Sequence, residues 1–215
     1  MAGPGFTFVE AINEVVETIG EFPMSGATKP SGLTPPDTTS IYARAEEFID
    51  RYNKRVQSQG FPENTVFGKA YTPNGSDNNN VDLATTVLRI QSSGPSEHRT
   101  LVLRVDTSDS STPKIFDARL NSFDLGSTST VFVDQVDLLA FEDLTPHLQD
   151  VIIGMAKVAF QRRMQGNLNM DTALMQEYAQ AEAQIERNIA DISSQPFNQR
   201  PMVPGMGQPQ QQRER

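Results

Sequence analysis

The sequence predicts an α+β protein: a four-helix body, a β-rich region inserted between the second and third helices, and a flexible C-terminal arm. Four segments carry apolar residues at three- and four-residue steps between helix capping signals. Short β-rich runs between polar loops fill the middle of the chain, and the last residues lack apolar periodicity. We therefore assign residues 6–60 and 142–192 to the helical body, 61–141 to the inserted β-rich region and 193–215 to the arm.

The first helix is predicted to begin after Thr7, because Thr7-Phe8-Val9-Glu10 has the spacing of a capping box. Apolar residues then recur at helical spacing as far as Ile19, and Gly20 follows where a left-handed C-cap is needed. A connector rich in Pro, Gly, Ser and Thr runs to Pro36, and Asp37 is the candidate N-cap of the second helix.

The second helix has one apolar face and one charged face, and it is predicted to end at Gln59-Gly60. The apolar face consists of Ile41, Ala45, Phe48, Ile49, Tyr52 and Val56. The opposite face carries Arg44, Glu47, Arg51, Lys54 and Arg55. This pattern predicts that the second helix packs against the first.

The middle of the chain contains β-rich runs at residues 86–90, 100–105, 114–116 and 131–136. The segments 74–80 and 107–112 are so polar that we expect exposed loop tips there. Phe61, Phe67 and Tyr71 could form a stacking platform for bases, but few Lys or Arg residues accompany them. We therefore expect these three residues to pack at the junction between the second helix and the first strand.

The third helix is predicted to begin with Thr145 as N-cap and Pro146 as its first residue, and to end before Gly166. Arg162 and Arg163 lie in its last turn. This pair is a candidate phosphate site, although positive charge at a helix C-terminus complements the dipole without any ligand.

A fourth helix is predicted to follow, with Asp171 as its cap and a narrow apolar stripe that suits packing against a bundle or a neighbouring helix. The stripe consists of Leu174, Tyr178, Ala181, Ile185, Ile189 and Ile192. The arm after it carries a net charge of +2, whereas the rest of the chain carries −11. We predict protein interfaces at both places, formed by Leu174, Tyr178 and Ile185 and by Arg200, Met202, Met206, Arg213 and Arg215.

Composition excludes several classes of function. The net charge of −9 argues against a general nucleic-acid-binding surface, which needs clustered Lys and Arg. The absence of cysteine removes disulfides and thiolate chemistry. No signal-peptide pattern and no apolar stretch of membrane-spanning length occurs, so we expect a chain that is neither exported nor inserted into a membrane.

No catalytic, cofactor or metal site is predicted. His98 and His147 have no partner at a recognisable ligand spacing, so we expect structural or solvent-exposed roles for both. The adjacent carboxylates of Glu46-Glu47 and Glu142-Asp143 could in principle support glycoside hydrolysis, yet adjacent helical residues point apart. We therefore expect no enzymatic activity.

Several segments resemble a known family. Residues 11–23 resemble the opening helix and I-G-E-x-P turn of the tail tubular protein A family, the head-to-tail adaptors of short-tailed bacteriophages. Residues 43–61 resemble the family's second helix, which ends Q-S-R-G-W, with Gln59 in place of Arg and Phe61 in place of Trp. Residues 116–117, 131–138 and 144–166 extend the resemblance, which covers residues 8–192.

The resemblance implies a virion tail protein made in the host cytoplasm, without a cofactor or a membrane partner. It implies a dodecameric ring docked under the portal protein, with a C-terminal segment that embraces portal subunits. A tail nozzle of the tail tubular protein B type would bind the other side, and DNA would pass through the lumen without specific binding. Two alternatives stay open: another ring or plug protein at the head-completion site, and a tail-associated polysaccharide hydrolase.

Overall fold

The computed structural model describes residues 5–75, 79–96, 99–106, 112–126 and 130–194. These residues form an α+β protein, as predicted. Its helices are α1 (Phe8–Glu17), α2 (Ile41–Gln57), α3 (Pro146–Met164) and α4 (Leu168–Ser194). Its strands are β1 (Thr65–Tyr71), β2 (Val87–Ser92), β3 (Leu101–Val105), β4 (Pro113–Asp117) and β5 (Val131–Asp137).

Helix α1 begins where predicted but ends at Glu17, two residues before the predicted Ile19. The Thr7 hydroxyl accepts from the Glu10 amide at 3.2 Å, and the Glu10 carboxylate accepts from the Thr7 amide at 2.8 Å, which completes the capping box. Gly20 follows α1 with φ of +79°, in the left-handed region that glycine adopts without a Cβ penalty. The capping box therefore defines the start of this helix, whereas Gly20 marks the turn after it and not its last residue.

Helix α2 begins later than predicted. Its N-cap is Ser40, whose hydroxyl accepts from the Ala43 amide at 3.1 Å. The Asp37 carboxylate accepts instead from the amides of Thr39 and Ser40, at 3.0 and 3.1 Å. Asp37 is thus a turn residue three positions before the cap, and its assignment as N-cap was wrong.

Helix α3 starts at Pro146, as predicted, but the Thr145 side chain makes no capping hydrogen bond. Its hydroxyl donates to Glu63 at 3.3 Å. The helix therefore begins where proline supplies a preset φ and has no N–H of its own to cap.

Helix α4 begins at Leu168, so the prediction of Asp171 as its cap was wrong. The Asn167 side chain accepts from the amides of Asn169 and Met170, at 3.0 and 3.3 Å, and thus caps the helix. Asp171 lies in the first turn and pairs with Arg162 of α3.

The strands form two antiparallel sheets. In the first, β5 lies between β1 and β2, and in the second β3 pairs with β4. The register of β1 shifts between Val66 and Lys69, where Gly68 has φ of +62° and its amide donates to Asp134 at 2.8 Å. This bulge turns Phe67 outward, and Phe67 is 71% exposed.

The sequence did not predict β1, because Gly68 interrupts the alternation of side chains that marks a strand. The expectation that Phe61, Phe67 and Tyr71 share one junction was also wrong. Phe61 is buried in the helical core, Phe67 is exposed, and Tyr71 packs against the core of the β-rich region.

The described residues contain two apolar cores. The helices bury Ile12, Ile49 and Ile152 in the first core, and the strands with their loops bury Ile115 and Leu125 in the second. The region boundaries 6–60, 61–141 and 142–192 stay predictions. No helix among the described residues combines the length and apolarity that crossing a bilayer requires.

Two polar side chains link the helices to the β-rich region by hydrogen bonds. Gln57 is fully buried; it donates to the Leu139 carbonyl at 3.0 Å and accepts from the Leu139 amide at 2.8 Å. Asn64 donates to the carbonyls of Gln57 and Asp137, at 3.0 and 3.1 Å. The segment that leaves α2 and the segment that returns toward α3 are therefore held together by the same pair of side chains.

Candidate assembly interface

An open groove of about 990 Å³ lies where α2, α3 and α4 meet. Five arginines and one glutamate line it, which gives it a net charge of +4 in a chain whose net charge is −9. The arginines are Arg44, Arg51, Arg55, Arg162 and Arg163. We call this surface the arginine groove.

The α2 arginines share a face because Arg44, Arg51 and Arg55 are spaced seven and four residues apart. Arg51 pairs with Glu47 at 2.8 Å on the groove wall. Both partners are more than half exposed, so this pair stabilises little.

The C-terminal end of α3 supplies the other two arginines. Arg162 binds Asp171 through Nε and Nη2, at 2.5 and 3.0 Å, and thereby links the end of α3 to the start of α4. The hydrogen bond from Arg162 holds the pKa of Asp171 below its usual value. Arg162 is thus engaged within the chain.

Three groove cations lack such a partner. Among the described residues, no carboxylate pairs with Arg44, Arg55 or Arg163, and all three side chains are exposed. Guanidinium groups present several fixed donors that match carboxylate or phosphate oxygens. The groove therefore offers three donor groups to an anionic partner.

The groove wall between the arginines is apolar. Phe48 packs edge-on against Phe160, with ring centroids 5.7 Å apart, and Arg51 lies over the Phe48 ring at 5.3 Å. Met164 and Met175 are 44% and 40% exposed on the groove wall. Exposed methionines suit adaptable contacts with a protein surface. This mixture of arginine and methionine favours a protein partner with both acidic and apolar groups.

The opposite flank of the helical body is acidic. Glu10, Glu14 and Glu17 lie on the outer face of α1, opposite the buried Ile12 and Val16. A cleft of about 240 Å³ continues this face between α1, α3 and α4, where Glu14 is joined by Asp150 and Glu177. Burial is the main cause that raises the pKa of Asp150. We call these five carboxylates the acidic face.

Lys157 is the cation within the acidic face. It is buried and bridges Glu14 at 2.7 Å and Glu177 at 3.2 Å, which joins all three helices around the cleft. Burial lowers the pKa of Lys157, but the hydrogen bonds and charges of Glu14 and Glu177 outweigh burial and raise it. Five carboxylates against one lysine leave a net charge of −4 on this flank.

The part of the predicted α4 stripe whose side chains are described, from Leu174 to Ile185, packs within the chain. Leu174 and Ile185 are buried, and Tyr178 lies against Gly154 of α3, 3.5 Å from an ideal Cβ position there. Burial raises the pKa of Tyr178 to about 12, and its hydroxyl donates to Glu182 at 2.9 Å. That these three residues contact another molecule stays a prediction.

The other predicted interface residues, Arg200, Met202, Met206, Arg213 and Arg215, lie outside the described residues. The sequence prediction did not select the arginine groove: Arg44, Arg51 and Arg55 were assigned to the charged outer face of α2. Their common spacing was visible, but the sequence did not show that α4 lies beside them.

The structure also places the candidates for catalysis. His147 is exposed, and His98 lies outside the described residues. Glu46 is buried and accepts from the Ser31 amide at 2.8 Å, whereas Glu47 faces the arginine groove, so the two carboxylates point apart. Within the described ranges no group of three or more His, Cys, Asp or Glu residues could hold a metal ion.

The sequence matches the model of a protein family described as tail tubular protein, over residues 9–195. The match runs from the first turn of α1 to the end of α4 and includes all five strands. Among curated proteins, none matches this sequence.

Proposed function

The chain belongs to the tail tubular protein family, and on that premise we propose that it is the head-to-tail adaptor subunit of a short-tailed phage. In this proposal, copies of the chain form a ring of twelve subunits, the number that the family resemblance implies, and this ring joins the portal protein to the tail nozzle. DNA passes through the lumen of the ring during ejection.

Membership of the family gives the general role of the chain. Tail tubular proteins are structural proteins of the bacteriophage tail, and their role is not enzymatic. The chain is therefore a structural component of the virion tail.

The main support for the adaptor role is the length of the family match. It includes both the helices and the β-rich region, so the whole architecture, and not one motif, is shared with tail tubular proteins. A ring is built from a heterologous contact, in which two different surfaces of each copy meet around an axis. The arginine groove and the acidic face are two such different surfaces.

The charge of the chain suits passage of DNA. A chain with a net charge of −9 repels the phosphate backbone, and screening confines this repulsion to about 10 Å or less in physiological salt. DNA then slides along the lumen without being bound. In this proposal, the arm with Arg200, Met202 and Met206 contacts the portal protein.

Native mass spectrometry of the purified chain, alone and mixed with the portal and nozzle proteins of its phage, tests the proposal. We expect one chain per portal subunit, followed by recruitment of the nozzle protein to that complex. Removal of residues 195–215 should weaken portal binding. A chain that binds neither the portal nor the nozzle protein would refute the adaptor assignment.

A further inference from the structure

The arginine groove and the acidic face lie on opposite flanks of α4. Met175 and Tyr178 line the groove, whereas Glu177 and Gln180 line the cleft of the acidic face. Successive helical residues are rotated by about 100°, so Met175 and Glu177 point about 200° apart. One helix thus separates a surface of net charge +4 from a surface of net charge −4.

We propose that the arginine groove of one copy binds the acidic face of the next copy, and that this contact closes the ring. The proposal rests on the ring assembly proposed above and identifies the two surfaces that form it. Arg44, Arg55 and Arg163 supply donors without a carboxylate partner among the described residues, and the acidic face supplies the complementary carboxylates.

The composition of the groove favours a protein occupant over DNA. Exposed Met164 and Met175 lie among its arginines. A phosphate backbone gains nothing from methionine, whereas a protein surface can pack against it. An arginine surface on the lumen would also retain DNA, because clustered cations bind phosphates with release of counterions. Placing these arginines between subunits removes them from the lumen.

The contact is directional, which permits a complementation test. A groove variant, Arg44→Glu with Arg55→Glu, keeps a normal acidic face. A face variant, Glu17→Arg, keeps a normal groove. Glu17 is exposed in the last turn of α1, and neither the capping box nor the Lys157 bridge includes it.

Each variant alone should assemble on the portal protein at least about tenfold more weakly than the unchanged chain, because the introduced glutamates then meet the acidic face of the next copy, or the introduced arginine meets its groove. An equal mixture should recover assembly, because in alternating copies the introduced glutamates meet the introduced arginine at one contact and the unchanged groove meets the unchanged acidic face at the next. Native mass spectrometry with one isotope-labelled variant measures both the copy number and the alternation.

The matched control is Lys54→Glu with Arg119→Glu, which changes the net charge by the same amount at exposed sites outside the groove. This control should assemble like the unchanged chain. If the groove variant is poorly folded by circular dichroism, Arg44→Gln with Arg55→Gln replaces it, and we expect weaker assembly that depends less on salt than assembly of the unchanged chain does.

Two outcomes overturn the inference while the adaptor assignment stands. In the first, the groove variant assembles on the portal like the unchanged chain, or the mixture gives no recovery. In the second, the groove variant assembles normally but binds duplex DNA more weakly, which would assign the groove to nucleic acid. If the unchanged chain never assembles on the portal, both the inference and the adaptor assignment fail.

Discussion

Among individual residues, those with buried side-chain amides, and not charged residues, hold the helices and the β-rich region together. Gln57 has no exposed surface and exchanges two hydrogen bonds with the Leu139 backbone. A buried backbone group that loses its partner keeps the full cost of its desolvation. Gln57 therefore contributes more to stability than its uncharged side chain suggests.

Replacing Gln57 with Leu should lower the free energy of unfolding by about 2–6 kcal/mol, since the Leu139 amide and carbonyl each lose a partner and each loss costs about 1–3 kcal/mol. Gln59→Leu is the matched control, because Gln59 is exposed and lies two residues away. It should change stability by less than about 0.5 kcal/mol. Urea denaturation of both variants checks this prediction, and equal effects would contradict it.

Helix α4 packs closely against helix α3 at Gly154. An ideal Cβ at Gly154 would lie 3.5 to 3.6 Å from atoms of Tyr178, which is ordinary van der Waals contact. The position therefore has room for a methyl group, whereas a side chain that extends toward Tyr178 would press on it. Two apolar substitutions of Gly154, to alanine and to leucine, should therefore change stability in opposite directions.

Gly154→Ala should raise stability by up to about 1 kcal/mol, because alanine removes the entropic cost of a glycine within a helix. Gly154→Leu should lower stability by about 1–3 kcal/mol, because the larger side chain overpacks the contact with Tyr178. Hydrogen exchange should then show faster exchange throughout α4 in the leucine variant. Unchanged exchange in α4 would show that Gly154 does not set the distance between the two helices.

Sequence signals predicted elements well where the signal is local. The capping box at Thr7 predicted the start of α1, and Pro146 predicted the start of α3. Where two residues competed for a cap, at Asp37 and at Asp171, the choice depended on backbone geometry that spacing does not specify. The strand β1 was missed because a bulge at Gly68 breaks its alternation.

The candidate interface was less predictable than the fold, because it depends on contacts between distant segments. The spacing of Arg44, Arg51 and Arg55 gives a charged helix face, which is usually a solvated surface. The packing of α4 beside that face creates a groove, and the arginines from α3 complete it. Helix packing is a tertiary property, so residue spacing along α2 could not show it.

At the scale of the whole molecule, charge is distributed unevenly over an acidic chain. A positive groove and a negative face lie on opposite sides of the helical body, while the total charge stays at −9. This distribution suits an assembly in which copies attract one another side by side and repel the DNA that passes between them. Membership of the tail tubular protein family places the chain in the virion tail.

Electron cryomicroscopy of the portal vertex in intact phage particles tests the adaptor assignment most directly. We expect the chain to form a closed ring between the portal and the nozzle, with α4 at the contact between neighbouring subunits and an open lumen along the DNA axis. A vertex in which the portal meets the nozzle directly, with this chain elsewhere in the tail or missing, would contradict the assignment.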